Sequence, residues 1–281
     1  MEAADYNFNS NNDQPPSTKP AMNDPARPRK PQEPWIGLRG RIGVIIPSTN
    51  IGVEYDCQRI VPQGVSWHFA RFFVEQPDLS SDNLFLAFID AIRKTIPDAI
   101  RDIMTCEPSY IMMGMSAETF WGGLDGNKEF EARLREQIGP KMGLTSGAAA
   151  LKAALDAFGA KRVAALTPYQ PVGDEQVRRF LQESGYTVTN VVGLKCDTAT
   201  SIAHTPPREV IDTVLNELDG DGVDAIVQAG TNLSAIDIFP TLEKQLGKPV
   251  IPINVATIWH ALRACGVNDR FQGKGWLLER F

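Results

Sequence analysis

Short hydrophobic runs alternate with longer amphipathic stretches along most of the chain. The runs lack a strict apolar–polar alternation, which is typical of strands covered on both faces, as in parallel sheets. We predict strands at 41–46, 66–74, 109–114, 162–167, 187–193, 224–229 and 249–253. Helical patterns lie between them at 84–105, 127–138, 147–158, 174–184, 207–218, 235–246 and 255–265. This order predicts an α/β fold built from doubly wound parallel sheets.

Two kinds of strand end each occur twice, about half a chain apart. The runs ending in PSTN at 47–50 and in TPY at 167–169 both pass into a small polar turn. The runs ending in GMS at 114–116 and in AGTN at 229–232 form a second pair with a similar separation. This repetition predicts two similar α/β halves whose strand ends face each other across a cleft. Free backbone N–H groups and hydroxyls at such ends are suited to hold a carboxylate.

The ends of the chain and the middle indicate how the halves are divided. Residues 1–36 are rich in Asn, Asp, Pro and Ser, which predicts a disordered tail, with a partner-binding or oligomer-swapping arm as the alternative. Trp35 is expected to mark where packing begins. A boundary at Gly139-Pro140 gives a first half at 37–140 and a second half at 141–254, with 255–281 as a candidate addition to the first half.

Composition narrows the class of protein. The chain has 281 residues, of which 43% are hydrophobic and 22% charged, with a net charge of −6 that argues against nucleic-acid binding. No apolar run approaches the roughly 20 residues that span a bilayer, and no signal-peptide pattern is present, so we expect a cytoplasmic protein without a membrane partner. The four cysteines and three histidines are scattered, and phosphate-binding glycine motifs are missing. Neither a metal site nor a cofactor is therefore predicted.

The four strand-end motifs, in this order and spacing, resemble the aspartate/glutamate racemase superfamily, specifically its maleate isomerase and arylmalonate decarboxylase branch. The resemblance covers roughly residues 40–281. It implies that Asn50 binds a substrate carboxylate, that Tyr169 does the same from the opposite half, and that the turns at 114–116 and 229–232 carry the chemistry. It also implies a homodimer or a larger homo-oligomer.

One departure from the family pattern bears on the reaction. Racemases and maleate isomerases of the superfamily carry a cysteine at each of the two turns, and the decarboxylases keep the second. Gly114 and Gly230 occupy the corresponding places, so the resemblance argues against two-cysteine racemisation and against the other cysteine-dependent steps. The two glycines could meet a need for positive φ, or could open space for backbone N–H groups to contact an anion.

The candidate site residues follow from these motifs. For catalysis we name Tyr169, Glu118 and Ser116, and proton transfer is assigned to Glu118, Tyr169 or a bound water. The alternatives are a helix cap for Asn50, a structural stacking role for Tyr169, and a solvated or capping role for Glu118. Cys196 is the one cysteine singled out for a reactivity test. The substrate-binding candidates are Ser48, Asn50, Gly114, Met115, Gly230, Thr231 and Asn232.

The sequence therefore predicts a cofactor-independent isomerase or lyase that acts on a small mono- or dicarboxylic acid through an enolate-like intermediate. Hydrogen-bond donors held at the strand ends would stabilise that intermediate more than its parent acid. Two alternatives remain open at this point. One is a divergent catabolic enzyme of the same superfamily, such as an ectoine-utilisation-type member or a hydrolase. The other is a carboxylate-binding protein without catalysis.

Overall fold

Two parallel four-stranded sheets with helices packed around them make up the described part of the chain. The first sheet has the strand order β2-β1-β3-β4 and the second has the order β6-β5-β7-β8. All pairings within both sheets are parallel. The repeated order confirms the predicted α/β fold with two similar halves. The strands are β1 Gly40–Pro47, β2 Val65–Phe72, β3 Tyr110–Met113, β4 Gly143–Thr145, β5 Arg162–Thr167, β6 Thr187–Gly193, β7 Ala225–Gln228 and β8 Val250–Pro252.

The helices follow the strands in regular succession. One of them, α8, continues directly into a π-helical turn at Val214–Leu218. The helices are α1 Gly52–Gln58, α2 Asp82–Met104, α3 Ala117–Phe120, α4 Gly123–Ile138, α5 Gly147–Phe158, α6 Pro171–Glu183, α7 Ala199–Ala203, α8 Pro207–Thr213, α9 Phe239–Leu246, α10 Ile253–Ala264 and α11 Trp276–Arg280.

This computed structural model describes residues 35–281, and the tail predicted at the N-terminus lies almost wholly outside the described residues. Trp35, expected to mark the start of packing, is 87% exposed. That expectation was wrong, because continuous burial begins with β1, where Ile42 is fully buried. The tryptophan precedes a turn that leads into the first strand.

The hydrophobic runs correspond to strands buried on both faces. In β1, Val44 lies between Phe69 of β2 and Met112 of β3 in the strand register, and it is completely buried. Helices cover both sides of such a central strand, so every position along it is selected for apolar character. The non-alternating pattern in the sequence has this physical cause.

The strand β4 shows where the chain leaves the first half. It lies beyond the boundary placed at Gly139-Pro140, yet its residues 143–145 pair with β3 of the first sheet. The chain therefore passes to the second half only after Thr145. Near the other end of the chain, α10 packs against β3, β4 and α5, so the C-terminal region contacts the first sheet again.

Local signals account for the well-predicted helix boundaries. The Ser146 hydroxyl accepts a hydrogen bond from Ala149 N–H at 3.3 Å and begins α5, and Gly159 ends it with a φ of +68°. The sequence analysis missed α1, α3, α7 and α11, which are all short. Helices of one or two turns carry too few apolar positions to show a period of their own.

Candidate active site

The ends of β1, β3, β5 and β7 meet at a single cavity between the two sheets. Its empty space is about 580 Å³ including the mouth. Residues of all four repeated strand-end motifs line it, together with side chains from α2 and from the segment after β6. The lining residues are Pro47, Thr49, Asn50, Leu79, Phe85, Phe88, Met115, Ser116, Ala117, Pro168, Tyr169, Gln170, Cys196, Ala199, Ile202, Gly230, Thr231 and Asn232.

Ser116 and Tyr169 form the polar centre of this cavity. Their hydroxyl oxygens lie 2.6 Å apart, and the Tyr169 hydroxyl also lies 3.0 Å from the carbonyl oxygen of Ala229. A carbonyl only accepts, so the single phenolic proton is donated to Ala229. Ser116 must then donate its own proton to the Tyr169 oxygen. Both hydroxyl protons are thus engaged within the protein before any ligand arrives.

The surroundings of Tyr169 keep its hydroxyl protonated. Its side chain is buried, and this burial raises the pKa of the phenol well above its usual range, although the hydrogen bond to Ser116 opposes the shift. Phe85 packs edge-on against the ring with 5.5 Å between ring centroids. The Tyr169 N–H donates at 3.1 Å to the Thr167 hydroxyl, which itself donates to Asp174. Tyr169 is accordingly a fixed hydrogen-bond donor.

Thr231 connects the second turn to both Ser116 and Asn50. Its backbone N–H donates to the Ser116 oxygen at 3.2 Å, and its hydroxyl accepts from the Asn50 amide at 3.3 Å. The side-chain oxygen of Asn50, Oδ1, also accepts from Val53 N–H at 3.0 Å in the first turn of α1. Asn50 therefore makes the helix-capping hydrogen bond considered for it, and it also lines the cavity; its binding of a substrate carboxylate stays a prediction.

Four backbone N–H groups on the two turns add to the donors of the site. Those of Met115, Ser116, Gly230 and Asn232 have no hydrogen-bond partner among residues 35–281. All four residues line the cavity. Free amides next to hydroxyl donors are the components of an anion-binding site.

Asn232 holds backbone segments together, and its side-chain hydrogen-bonding capacity is filled. Its carbonyl oxygen accepts from Ile51 N–H at 2.9 Å and from Gly52 N–H at 3.2 Å. Its amide donates to the Ala199 carbonyl at 2.8 Å and to the Thr49 carbonyl at 3.3 Å. The side chain uses all of its hydrogen-bonding groups inside the protein, so it shapes the cavity wall.

Neither Gly114 nor Gly230 fits the reasons considered for a glycine there. Both lie outside the positive-φ region, so backbone conformation does not require them. A Cβ atom at Gly114 would lie 2.6 Å from Ile46 Cγ2, and one at Gly230 would lie 2.6 Å from Pro168 Cδ. The missing side chains leave room for neighbouring residues, and they open no space for a substrate. The Gly114 N–H also donates to the Ile45 carbonyl, which removes it from the donors available to a ligand.

Two other predicted site residues lie off the cavity. The Ser48 hydroxyl exchanges hydrogen bonds with the backbone of Val74 and so ties β1 to the segment after β2. Glu118 is buried and ion-paired with Arg93 at 2.7 Å and with Arg133 at 3.2 Å. Burial raises the pKa of the Glu118 carboxyl, and the two guanidinium groups oppose that shift. Both arginines contact Oε1, Oε2 is buried without a hydrogen-bond partner among the described residues, and the side chain does not line the cavity.

The rest of the cavity wall is apolar. Phe85 and Phe88 come from α2, and Ile202 comes from α7. The only titratable side chains in the lining are Tyr169 and Cys196, and burial raises the pKa of the Cys196 thiol. No pattern in the sequence marks these apolar residues as part of a site, because a hydrophobic stripe on a helix usually faces the core.

Residues 35–281 contain neither a metal-ligand cluster nor a membrane-spanning helix. No group of three or more His, Cys, Asp and Glu side chains there could hold a metal ion. No helix in this part of the chain is both long and apolar enough to cross a membrane. His260 donates to or accepts from the Thr145 hydroxyl at 2.8 Å and does not line the cavity.

Fold and site together define an α/β protein with two repeated parallel sheets and a cavity between their strand ends that is lined by hydroxyl and backbone N–H donors. The family model described as arylmalonate decarboxylase matches residues 43–278, and the chain belongs to this family. The resemblance drawn from the strand-end motifs is thereby confirmed at the level of the branch.

The relatives include both maleate isomerases and an arylmalonate decarboxylase. Maleate isomerase from Nocardia farcinica is 26% identical over 251 residues, which cover 87% of this chain and 97% of the relative. Arylmalonate decarboxylase from Bordetella bronchiseptica is 25% identical over 181 residues, or 63% of this chain and 73% of the relative. A mutant of the Nocardia farcinica maleate cis-trans isomerase with a covalently bound succinylcysteine intermediate superposes with a TM-score of 0.77 at 25% identity, over 86% of this chain and 98% of that one.

Proposed function

We propose that this protein is a cofactor-independent isomerase or lyase that converts a small carboxylic acid through an enolate-like intermediate. The observation that carries the proposal is the Ser116–Tyr169 hydroxyl pair, which meets the Thr231 N–H inside the cavity. Membership of a family that contains isomerases and decarboxylases favours catalysis over carboxylate binding alone.

The hydroxyl pair offers a defined way to bind an anion. A carboxylate oxygen is a stronger acceptor than a peptide carbonyl, so it can replace the Ala229 carbonyl as the acceptor of the Tyr169 hydrogen bond. The free N–H groups of Met115, Ser116 and Gly230 can donate to the same anion or to its neighbour. As negative charge moves onto the oxygen atoms of an enolate, these fixed donors stabilise it more than they stabilise the starting acid.

Proton transfer requires a group that reaches the substrate in the cavity. Tyr169 stays protonated, which suits a donor and does not suit a base. Glu118 does not line the cavity and is ion-paired with Arg93 and Arg133, so we assign it no direct role in proton transfer. The remaining groups are Tyr169, a bound water and the Cys196 thiol.

The lining also favours one type of substrate. No Lys, Arg or His side chain lines the cavity, and Leu79, Phe85, Phe88 and Ile202 make up an apolar part of its wall. An acid that presents its charge to the donors and an apolar substituent to this wall would bury both groups favourably. We therefore propose a malonate-type acid with an apolar substituent as the first substrate class, and maleate as the second.

An NMR experiment distinguishes these possibilities. Phenylmalonate and maleate are incubated separately with the protein in D₂O and followed by proton NMR, with the Tyr169→Phe variant as control. We expect loss of carbon dioxide from phenylmalonate, with deuterium at the new C–H position. Formation of fumarate from maleate would establish the second substrate class. Binding without conversion of either acid would contradict the enzymatic proposal.

We also propose that the protein is a cytoplasmic homo-oligomer. Large apolar side chains exposed at Ile51, Val61 and Phe73 support association of copies. Light scattering on the purified protein measures the mass in solution. A monomer over the micromolar range would contradict this part of the proposal.

A further inference from the structure

The buried carboxylate of Asp56 lies behind the second turn, outside the cavity. Asp56 belongs to α1, is completely buried and has no ion-pair partner among residues 35–281. Its two oxygens accept from the Ser234 hydroxyl at 2.6 Å and from the Asn254 amide at 2.8 Å. Burying a carboxylate without a cation costs several kcal/mol in most settings. Its presence here therefore calls for an explanation.

Asn254 links this carboxylate to the main chain of the site. Its amide nitrogen donates to Asp56 Oδ2 and also, at 2.9 Å, to the carbonyl oxygen of Thr231. Both amide hydrogens are thereby used, each on a different acceptor. Turning the amide over would set its oxygen against both acceptors, so the orientation is fixed. In this orientation Asn254 Oδ1 stays buried without a partner among the described residues.

The helix α1 packs against the same turn through its backbone. A Cβ atom at Gly52 would lie 2.8 Å from the Thr231 carbonyl oxygen and 3.2 Å from that of Asn232. Gly52 and Asp56 are four residues apart and so lie on one face of α1. This face contacts the turn at two places, through the close backbone approach at Gly52 and through the carboxylate of Asp56.

We infer that Asp56 and Asn254 are positioning residues, which hold the main chain of Thr231 so that its N–H group points at the Ser116 oxygen. The inference rests on the proposed function in taking Ser116, Tyr169 and Thr231 as the substrate site. Fixing the Thr231 carbonyl limits rotation about the Cα–C bond of Thr231. The N–H group of the same residue donates to the Ser116 oxygen, so the two contacts act on one short piece of main chain. Asp56 in turn holds Asn254. Neither residue lines the cavity.

Four variants separate positioning from general packing. Asn254→Leu keeps the branched shape of the side chain, although it is larger, and removes both donors. Ser234→Ala is the matched control, because it removes the other hydrogen bond of Asp56 and leaves the link between Asn254 and Thr231 in place. Asp56→Ala removes the carboxylate that holds the Asn254 amide. Asp56→Asn is the conservative variant, since its oxygen can accept from Asn254 while its amide donates to the Ser234 hydroxyl.

The first measurement is hydrogen–deuterium exchange in the peptide that covers residues 229–234, and it needs no ligand. For Asn254→Leu and Asp56→Ala we expect exchange about tenfold faster than in wild type, as for loss of a hydrogen bond to a buried acceptor. For Ser234→Ala and Asp56→Asn we expect the wild-type rate. Wild-type exchange in Asn254→Leu, or equal acceleration in Ser234→Ala, would overturn the inference. If Asn254→Leu does not fold, the two Asp56 variants decide by the same criterion.

The second measurement is the affinity for phenylmalonate. We expect it to fall about tenfold in Asn254→Leu and Asp56→Ala, and to change less than about twofold in the other two variants. If wild type fails to bind phenylmalonate, the proposed function loses its support, and the exchange rates still decide the positioning. If exchange accelerates and affinity is unchanged, Thr231 is positioned but does not act on the substrate, and the inference is overturned in its functional part.

Discussion

The Ser116 hydroxyl donates its hydrogen bond to the Tyr169 oxygen at 2.6 Å, from the first sheet to the second. Ser116 follows β3, and Tyr169 follows β5. Neither half of the molecule holds this pair alone. The donor set of the site is therefore sensitive to the relative placement of the two sheets, and changes at the contact between them should alter activity before they alter folding.

The substitution Tyr169→Phe tests the central donor. It removes the hydroxyl and leaves the ring packed on Phe85, so the fold should persist. We expect turnover of the substrate found by NMR to fall on the order of a hundredfold, equivalent to roughly 3 kcal/mol of transition-state stabilisation. The control is Tyr186→Phe, whose hydroxyl binds Asp156 on α5. Equal losses in both variants would mean that the effect reflects stability.

The substitution Gly114→Cys tests whether that turn can offer a thiol. A side chain there is directed at Ile46 and Val53 in the core. We expect the free energy of unfolding to fall by about 1–3 kcal/mol through overpacking, as measured by denaturant titration. The new thiol should resist alkylation in the native protein. Rapid labelling of residue 114, read by mass spectrometry, would show that its side chain reaches the cavity.

Cys196 reports on occupancy of the cavity. It lines the pocket and is partly buried, whereas Cys106 is exposed on the surface. We expect a saturating carboxylate ligand to slow alkylation of Cys196 by iodoacetamide at least about fivefold, since the ligand blocks the approach and a buried thiol ionises poorly. Cys106 serves as the internal control with an unchanged rate. Equal rates at Cys196 with and without ligand would place the ligand elsewhere.

The substitution Glu118→Gln separates stability from catalysis. It leaves Arg93 and Arg133 without their shared carboxylate, and we expect a loss of unfolding free energy of about 2–4 kcal/mol. Turnover by the folded variant should change less than about tenfold, with an unchanged pH profile, because the carboxyl lies off the cavity. Glu136→Gln, the same change at an exposed position of α4, is the control. A pH–rate profile that loses one limb in Glu118→Gln would restore Glu118 as an acid or base.

Asp56 should make the protein less stable as the pH rises. Burial raises the pKa of Asp56 from its ordinary value of 3.8 to about 6; Asp237 adds to this shift, and Ser234, Asn254 and Arg59 oppose it. A raised native pKa means that the contribution to stability is fully present below pH 3.8 and is lost as the pH passes through about 6. Urea titrations from pH 4 to pH 8 measure this loss, which amounts to at most about 3 kcal/mol.

The variant Asp56→Asn should lack this part of the pH dependence and exceed wild type in stability at pH 8. The neutral amide keeps both hydrogen bonds and avoids the buried charge. A pH dependence identical to that of wild type would show that Asp56 does not titrate in this range.

The sequence was sufficient to predict the strand ends that form the site. The carboxyl ends of neighbouring parallel strands meet at one sheet edge, so motifs such as PSTN at 47–50 and AGTN at 229–232 are brought together by topology alone. The direction of individual side chains was less accessible. Asn232 and Ser48 lie in the right motifs but bind backbone, and Glu118, two residues after Ser116, points to two arginines.

Other parts of the site depend on tertiary packing and left no local signal. Phe85 reaches the cavity because α2 crosses the ends of the strands, and its helical spacing looks like that of any core residue. Asp56 was overlooked because a lone acidic residue on a short helix is ordinarily exposed. Its role depends on Asn254, which lies 198 positions away along the chain.

The crowded glycines also limit how the site can change over generations. At Gly114 and Gly230, a codon change alone would drive a thiol into Ile46 or Pro168, so neighbouring residues would have to change first. Ser116 differs, since its side chain already lines the cavity and a thiol there would not be driven into Ile46 or Pro168. The shortest mutational path from this protein to a thiol-dependent relative therefore runs through Ser116, at the cost of the donor that now holds Tyr169.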